Sequence, residues 1–296
     1  MTFEHPKLVL HDLDNLWFQV GGTLCNLTCE HCFISCGPGN HSFEFMPLNQ
    51  VKDYLDESLD FGVKEYYFTG GEPFMNPQIL DILDLTMNYG PVTVLTNGTL
   101  FNEAVVDRMA KAEESSLYSL EVRVSLDGPT EEMNDTIRGK GAFKKSMRGI
   151  QWLIQYGFLP IITVTKTWAH DEDEKVLEGF YHMLRSQGYD RHRIKILPPL
   201  KIGREMLRDR GYTDYERVTS EMLEGYDLSQ FLCFNTRVAT SRGVYVCPIL
   251  IEEEEAHMGK DLREAKTGFV LKHHACFTCY LYGAICSNLC FVGQDA

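Results

Sequence analysis

The sequence predicts an α/β protein in which six parallel strands form an open, partial (β/α)6 TIM barrel, followed by a small cysteine-rich domain. Three observations predict this fold. Six β-rich runs alternate with stretches of helical period, the alternation stops near residue 200, and six of the ten cysteines lie beyond that point. Alternating strands and helices favour a parallel sheet with right-handed crossovers, and eight such units would be needed to close a barrel.

The predicted strands are short, contain many β-branched and aromatic residues, and are each followed by a helix or a long connection. They span residues 17–23, 65–70, 92–97, 121–128, 161–166 and 193–198.

The predicted helices lie between these strands and end in polar or glycine-rich turns. In the first, residues 48–61, one face carries Val51, Tyr54, Leu55, Ser58 and Leu59. The others span residues 76–87, 102–114, 144–157 and 174–188. We therefore assign residues 1–200 to the barrel and residues 201–296 to the cysteine-rich domain.

The composition narrows the function. The 296-residue chain has a formal net charge of −14, which argues against binding to nucleic acid or to anionic membranes and tolerates a cationic small molecule. No apolar run approaches the length of about 18 residues that spans a bilayer, and the start lacks the features of a signal peptide. We expect a cytoplasmic protein, in which ten cysteines are metal ligands or catalytic groups rather than disulfides.

The first cysteine group follows the first predicted strand with the spacing C-x3-C-x2-C, at Cys25, Cys29 and Cys32. Three thiolates can hold three irons of a [4Fe–4S] cube and leave the fourth iron open for another ligand, whereas ferredoxin motifs fill all four. A zinc site is the alternative, although structural zinc takes four ligands. Cys36 is interpreted as a buried residue outside the cluster.

With this motif, the sequence resembles the radical S-adenosylmethionine (radical SAM) enzymes over residues 17–200. The segment "GGEP" resembles the family segment that holds the methionine amino group, which implies that role for Gly70, Gly71 and Glu72. His31 takes the position of an aromatic residue that covers the adenine. The resemblance implies a [4Fe–4S] cluster that cleaves S-adenosylmethionine to a 5′-deoxyadenosyl radical.

Two further segments extend the resemblance. In "VSLDGPTEEMNDTIRG", Ser125 and Asp127 would lie near the ribose and Arg138 would face the methionine carboxylate. In "ITVTK", Thr163 and Val164 would flank the adenine. An enzyme of this kind also implies a flavodoxin- or ferredoxin-type reductant as a partner.

The tail cysteines resemble the family's auxiliary-cluster extensions, known as SPASM and the shorter twitch. Three all-cysteine clusters need eleven thiols and the chain has ten, so one auxiliary [4Fe–4S] cluster is favoured. Its expected ligands are Cys233, Cys247, Cys276 and Cys279, with Cys290 as an alternative ligand. A second auxiliary cluster would need an open iron or another ligand type, and zinc is a further alternative for this domain.

Several reactions remain open. The leading hypothesis is epimerisation of a carbohydrate-like, amine-bearing small molecule such as an aminoglycoside, with Cys247, Cys286 or Cys290 as the thiol that donates hydrogen. The alternatives are dehydrogenation of a sugar or aminocyclitol alcohol, maturation of a ribosomally made peptide, and a non-catalytic electron carrier. Two observations argue against two of these alternatives. Only 24 residues precede Cys25, too few for the leader-binding domain that peptide maturases usually carry. Pro248 follows Cys247, where the sulfatase-maturating enzymes that the sequence resembles have an Asp that takes the proton during oxidation.

Overall fold

The structure is a computed structural model that describes residues 4–283 and residue 285. The hydrogen-donor candidates Cys286 and Cys290 lie outside the described residues. The strands are β1 (Lys7–Leu8), β2 (Asn15–Phe18), β3 (Glu65–Phe68), β4 (Val92–Thr96), β5 (Leu120–Ser125), β6 (Ile161–Thr165), β7 (Arg193–Leu197), β8 (Thr236–Thr240), β9 (Gly243–Tyr245), β10 (His257–Gly259) and β11 (Phe269–Val270).

The first six helices lie between the parallel strands, and the last two follow the sixth of those strands. They are α1 (Leu48–Ser58), α2 (Ile79–Thr86), α3 (Glu103–Ser115), α4 (Glu131–Arg138), α5 (Ala142–Gln155), α6 (Asp173–Ser186), α7 (Glu205–Arg208) and α8 (Ala275–Tyr282).

The main sheet has the strand order β10-β9-β8-β2-β3-β4-β5-β6-β7. Strands β2 to β7 pair in sequence order and in parallel, which confirms the open, partial barrel of six βα units. Each of the six predicted strands overlaps one of these. The carboxyl ends of parallel strands lie at one edge, where the loops that carry the predicted site residues meet.

All five predicted helices are present, with four differences, one of which is that the short helix α7 was not predicted. Leu59 was expected on the buried face of α1 but is 64% exposed, because the helix tightens there into a 3-10 turn over Leu59–Phe61. Helix α4 was not predicted, although Thr130 caps it by accepting from Met133 N. Helix α8 was also not predicted, and it carries Cys276 and Cys279.

Alternating residues of the barrel strands pack into two separate cores. On β2, Leu16 and Phe18 belong to the core beneath the helices, whereas Trp17 belongs to a second core that includes the tail. This follows from the period of two along a strand. The inner face of the barrel is therefore covered by the tail.

The tail continues the barrel sheet. Strand β8 pairs in parallel with β2, and β9 and β10 extend the sheet in antiparallel fashion. The amino-terminal strand β1 pairs with β11, so both ends of the described chain are joined to the tail. The boundary at residue 200 stays a prediction, and it crosses a continuous sheet.

Candidate functional site

A cavity of about 200 Å³ lies at the carboxyl ends of the barrel strands. Its wall contains the three cysteines of the motif, Cys25, Cys29 and Cys32. The structure brings six other predicted residues to the same wall: His31, Gly70, Gly71, Ser125, Arg138 and Thr163.

The tail closes one side of this cavity. Pro248 and Ile285 line it, and Cys247, which directly precedes Pro248, does not. Pro248 occupies the position where a base was expected in the oxidising relatives, and its ring carries no titratable group. Among the described residues that line the cavity there is no Asp or Glu, whereas Arg138 and Arg204 both line it.

The cysteine loop is held by Arg204, which the sequence did not single out. Its Nε donates to Cys29 O at 2.8 Å, Nη1 to Ser35 O at 3.0 Å, and Nη2 to Cys36 O. Its backbone N–H donates to Cys32 O at 3.0 Å. Gly203 allows this approach, since its φ is +58° and a Cβ there would lie 2.3 Å from Phe33 O.

The environment of the three thiols differs from one to the next. Burial raises the pKa of Cys25 to about 12 and raises the pKa of Cys29, which Arg138 opposes. A hydrogen bond from the Cys36 thiol is the main cause that lowers the pKa of Cys32 to about 6. Cys36 lines the same cavity, and its backbone N–H donates to Cys32 Sγ at 3.3 Å. The fourth cysteine is thus a direct neighbour of the motif.

The glycines of "GGEP" are pressed against the cysteine loop. Gly71 N–H donates to Gly22 O at 2.9 Å, and a Cβ on Gly71 would lie 1.9 Å from Leu24 O. No other residue fits this position, because any side chain would collide with the backbone just before Cys25.

Glu72 does not line the cavity, which corrects the expectation that it contacts the cofactor. Its side chain is fully buried and accepts hydrogen bonds from Phe74 N, Thr96 Oγ1 and Asn97 N at 3.0, 2.7 and 2.8 Å. Burial raises the pKa of this carboxyl, and these donors oppose the shift. Glu72 therefore fixes the turn that carries Gly70 and Gly71 to the end of β4.

Asp127 is also behind the cavity wall, where it holds two residues that line it. Its Oδ2 lies 2.5 Å from His31 Nε2 and 2.6 Å from Arg138 Nε, and its Oδ1 accepts from Thr165 N at 2.8 Å. Burial alone would raise the pKa of Asp127, but the charges of Arg138 and His31 hold it below its usual range.

Val164 is a second correction. Its side chain packs in the core beneath the helices, whereas Thr163 and Thr165, its neighbours on β6, line the cavity. Successive side chains of a strand point to opposite faces, so Thr163 and Val164 cannot both face the cofactor. The sequence analysis missed Thr165, which the alternation of side chains along the strand could have indicated.

The four predicted tail ligands line a second cavity of about 20 Å³: Cys233, Cys247, Cys276 and Cys279. Two features of the fold bring them together. Cys233 and Cys247 flank the β8–β9 hairpin at its open end, and Cys276 and Cys279 are three residues apart on α8, which places them on one helix face. The remaining described wall residues are apolar.

This position of Cys247 corrects its assignment as a hydrogen donor to a substrate in the first cavity. The adjacent His273 and His274 do not line the tail cavity either. Among the described residues, no group of three or more His, Cys, Asp or Glu side chains is placed to hold a single metal ion.

Arg237 supports the tail site much as Arg204 supports the first. It is 1% exposed, and its Nη1 donates to Cys233 O at 3.1 Å and to Thr236 O at 2.8 Å. Its Nε and Nη2 donate to Ala265 O at 2.8 Å and Thr267 O at 2.9 Å. Burial lowers the pKa of Arg237 to about 10.

No helix in the described ranges has the length and apolar character needed to cross a bilayer.

Comparison with known proteins places these features in context. Residues 20–184 match the model of the Radical SAM superfamily. The chain is 36% identical over 157 residues to the mycofactocin maturase MftC of Mycobacterium tuberculosis, covering 51% of this chain and 38% of that protein. It is 34% identical over 147 residues to the AdoMet-dependent heme synthase of Oleidesulfovibrio alaskensis, covering 48% of this chain and 36% of that protein. The chain thus spans well under half the length of these relatives.

The fold also matches a solved structure. The crystal structure of Streptococcus suis SuiB bound to the precursor peptide SuiA aligns with a TM-score of 0.62 at 17% identity, covering 83% of this chain and 62% of that chain. At this identity the likeness concerns the fold.

Proposed function

The chain belongs to the radical SAM superfamily, whose cofactors are a [4Fe–4S] cluster and S-adenosylmethionine, and from this premise we propose that it matures a peptide substrate. When bound, these cofactors supply a 5′-deoxyadenosyl radical that removes a hydrogen atom from the substrate. The protein's own residues hold the cofactors, orient the substrate and exclude water from the cavity.

Cys25, Cys29 and Cys32 are the proposed ligands of the cluster that binds S-adenosylmethionine. The donor set fits, because three thiols share one cavity wall and no fourth cysteine is needed. Arg204 keeps the loop carbonyls paired, so the thiols stay aimed at the cavity.

The cofactor side of the cavity is the wall formed by β5, α4 and β6. Arg138, held by Asp127, is the proposed partner of the methionine carboxylate, since a guanidinium suits a carboxylate. His31 is fixed by the same Asp127 and is the proposed cover of the adenine. The Thr163 hydroxyl is buried without a hydrogen-bond partner among the described residues, which supports a polar ligand at this wall.

The four tail cysteines are the proposed ligands of one auxiliary [4Fe–4S] cluster. Each iron of a cube takes its own thiolate, so the four sulfurs stand further apart than around a single ion. Among the described residues, the side chains of the tail wall offer no ligand besides thiols.

The charge of the cavity wall favours a peptide over a cationic aminoglycoside as the substrate. A cationic aminoglycoside or aminocyclitol would bury its ammonium groups in a cavity where no described wall residue is an Asp or Glu, which is unfavourable. A neutral peptide segment carries no such penalty. The similarity to a maturase and the fold shared with a peptide-bound protein agree with this choice. Epimerisation with Cys247 as donor lacks support, because its thiol belongs to the tail cavity.

The test is to reconstitute the protein without oxygen and supply S-adenosylmethionine and dithionite. A pool of unstructured peptides, a pool of aminoglycosides and a heme-synthesis assay are compared for increased 5′-deoxyadenosine formation. The proposal expects stimulation by peptides, with a product lighter by two hydrogen atoms where a bond has formed. Stimulation by aminoglycosides alone, or heme as the product, would overturn it.

A further inference from the structure

Two residues that line the cavity each have a buried polar atom with no hydrogen-bond partner among the described residues: the indole Nε1 of Trp17 and the carboxamide Oε1 of Gln19. Both residues line the cavity, and their exposed fractions are 1% and 0%. Buried polar atoms in folded proteins are nearly always paired, and an unpaired one is unfavourable. These two atoms therefore indicate a ligand that pairs them when it binds.

The chemical character of both atoms is fixed by their neighbours. Gln19 Nε2 donates to Gly22 O at 2.8 Å, and only the NH2 group can face that carbonyl, so the remaining atom is the acceptor oxygen. The Trp17 ring is stacked on Tyr67 with centroids 4.5 Å apart and planes 5° apart. This stacking holds the indole in place, and its N–H can only donate.

These residues lie apart from the β5, α4 and β6 wall, which carries Arg138 and Thr163. Trp17 and Gln19 belong to β2 and its carboxyl end, which is four positions from β6 in the sheet order. Strand β2 is also where the tail joins the barrel, through its pairing with β8. The cavity therefore has a cofactor wall on β5, α4 and β6. Trp17 and Gln19 lie on another wall, next to the cysteine loop and the Gly70–Gly71 turn, and nothing above assigns a ligand to these two side chains.

We propose that Trp17 and Gln19 form the substrate side of the cavity and bind uncharged amide groups of a peptide main chain. The indole N–H donates to a substrate carbonyl oxygen, and the Gln19 oxygen accepts from a substrate N–H. A carboxylate would leave the Gln19 oxygen facing another acceptor, and an ammonium would leave the indole N–H unpaired. The assignment rests on the proposed function and specifies the substrate groups that the two side chains bind.

The spacing of the two residues fits an extended chain. Trp17 and Gln19 are two residues apart on one strand face, a separation of about 6.7 Å. An extended peptide presents its N–H and C=O groups on one side with the same repeat. A peptide segment lying along β2 can therefore meet both side chains with successive groups.

The test compares Trp17→Phe and Gln19→Met with Thr163→Val as the matched control on the cofactor side. Two affinities are measured on reconstituted, oxygen-free protein: that of S-adenosylmethionine, and that of N-acetylalanine methylamide, a neutral unit with two amides, by ligand-observed NMR. Each β2 variant is expected to weaken the diamide about three- to tenfold, the effect of one hydrogen bond, with the affinity for S-adenosylmethionine within about twofold of the unmodified protein. Thr163→Val is expected to weaken the binding of S-adenosylmethionine and to leave the affinity for the diamide within about twofold.

Three outcomes would overturn the inference. They are an unchanged diamide affinity in both β2 variants, a parallel loss of affinity for S-adenosylmethionine, and no diamide binding by the unmodified protein. A thermal melt of each variant verifies that it is folded. Failure of the proposed function is distinct: the diamide would bind and depend on Trp17 and Gln19, while the peptide pool would still fail to stimulate 5′-deoxyadenosine formation.

Discussion

The barrel cysteines line a cavity of about 200 Å³ shared with polar side chains, whereas the tail cysteines line one of about 20 Å³ whose other described walls are apolar. The first site has the three thiols of the motif with Cys36 beside them, all from one loop, and the second has four thiols from a hairpin and a helix. A metal site with an incomplete protein ligand set and room for another molecule is suited to chemistry, while a closed one is suited to structure or electron transfer. This difference supports our proposal that turnover takes place at the barrel site.

Both sites use an arginine that donates to backbone carbonyls, and here too they differ. Arg204 is half-buried and lines the reactive cavity, whereas Arg237 is 1% exposed and ties the tail hairpin to the residues before β11. Both charges reach a neighbouring thiol. Arg204 helps to lower the pKa of Cys32, and Arg237 opposes the rise that burial causes in the pKa of Cys233. The fully buried arginine serves the packing of the tail.

The largest expected effect separates the two cysteine groups. Replacing Cys25, Cys29 and Cys32 together with Ala is expected to reduce formation of 5′-deoxyadenosine by more than about 1000-fold, because the cofactor loses its ligands. Cys276→Ala is expected to lower the iron content as well but to reduce 5′-deoxyadenosine formation by less than about tenfold. Iron analysis and chromatography of the products measure both. Equal losses of activity would remove the functional distinction between the sites.

The two arginines give the next test. Arg237→Met leaves four buried carbonyl bonds unmade and is expected to lower the free energy of unfolding by about 3 to 6 kcal/mol. Arg204→Met is expected to lower it by about 2 to 4 kcal/mol and, unlike the tail variant, to change the EPR signal of the cluster that responds to S-adenosylmethionine.

Urea unfolding without oxygen measures the stabilities, with the exposed Arg148→Met as control. A larger loss for Arg204→Met than for Arg237→Met would contradict the assignment of the tail arginine to packing.

Asp127 links the barrel site to pH. Its folded-state pKa is lowered, so its stabilising contribution is complete above the unfolded pKa of about 3.9 and is lost as the pH falls through the folded value. Asp127→Asn is expected to destabilise the protein by about 3 to 5 kcal/mol between pH 5 and 8, since Arg138 loses its buried partner. The difference from the unmodified protein should shrink below pH 4. A difference that grows toward low pH would contradict the ion pair.

The smallest expected effect concerns Glu72. Glu72→Gln places an amide NH2 near one of the donors that the carboxylate accepts from, and about 1 to 3 kcal/mol of stability should be lost. Because Glu72 lies behind the wall, the affinity for S-adenosylmethionine should fall less than about tenfold. Isothermal titration measures the affinity. A loss of affinity above about 100-fold with unchanged stability would show that Glu72 contacts S-adenosylmethionine directly.

The sequence predicted the six strands well because each is a short β-rich run ending in a turn, and that pattern is local. It missed α4, although Thr130 and the acidic residues after it are an ordinary helix start, because the segment was interpreted through its motif. It missed α8 because the short run between Cys276 and Cys279 has no amphipathic period to detect.

The sequence predicted the site residues that belong to a motif. It missed those that are distant along the chain and reach the site only through the fold. The cysteine spacing identified the loop, yet Arg204 lies about 170 residues along the chain from its hydrogen-bond partners. Trp17 and Gln19 were also missed, since an unpaired atom is visible only once its surroundings are known. Glu72, Asp127 and Val164 were placed against the cofactor because a motif identifies residues near a site without saying which way they point.

The most direct test is EPR spectroscopy of the reduced protein with and without S-adenosylmethionine, on the unmodified chain and on the two cysteine variants. The account predicts that S-adenosylmethionine changes one cluster signal, that this signal is absent when Cys25, Cys29 and Cys32 are replaced, and that it persists in Cys276→Ala. A signal that responds to S-adenosylmethionine in the barrel variant, or that is lost only in the tail variant, would contradict the assignment of the open site to the barrel.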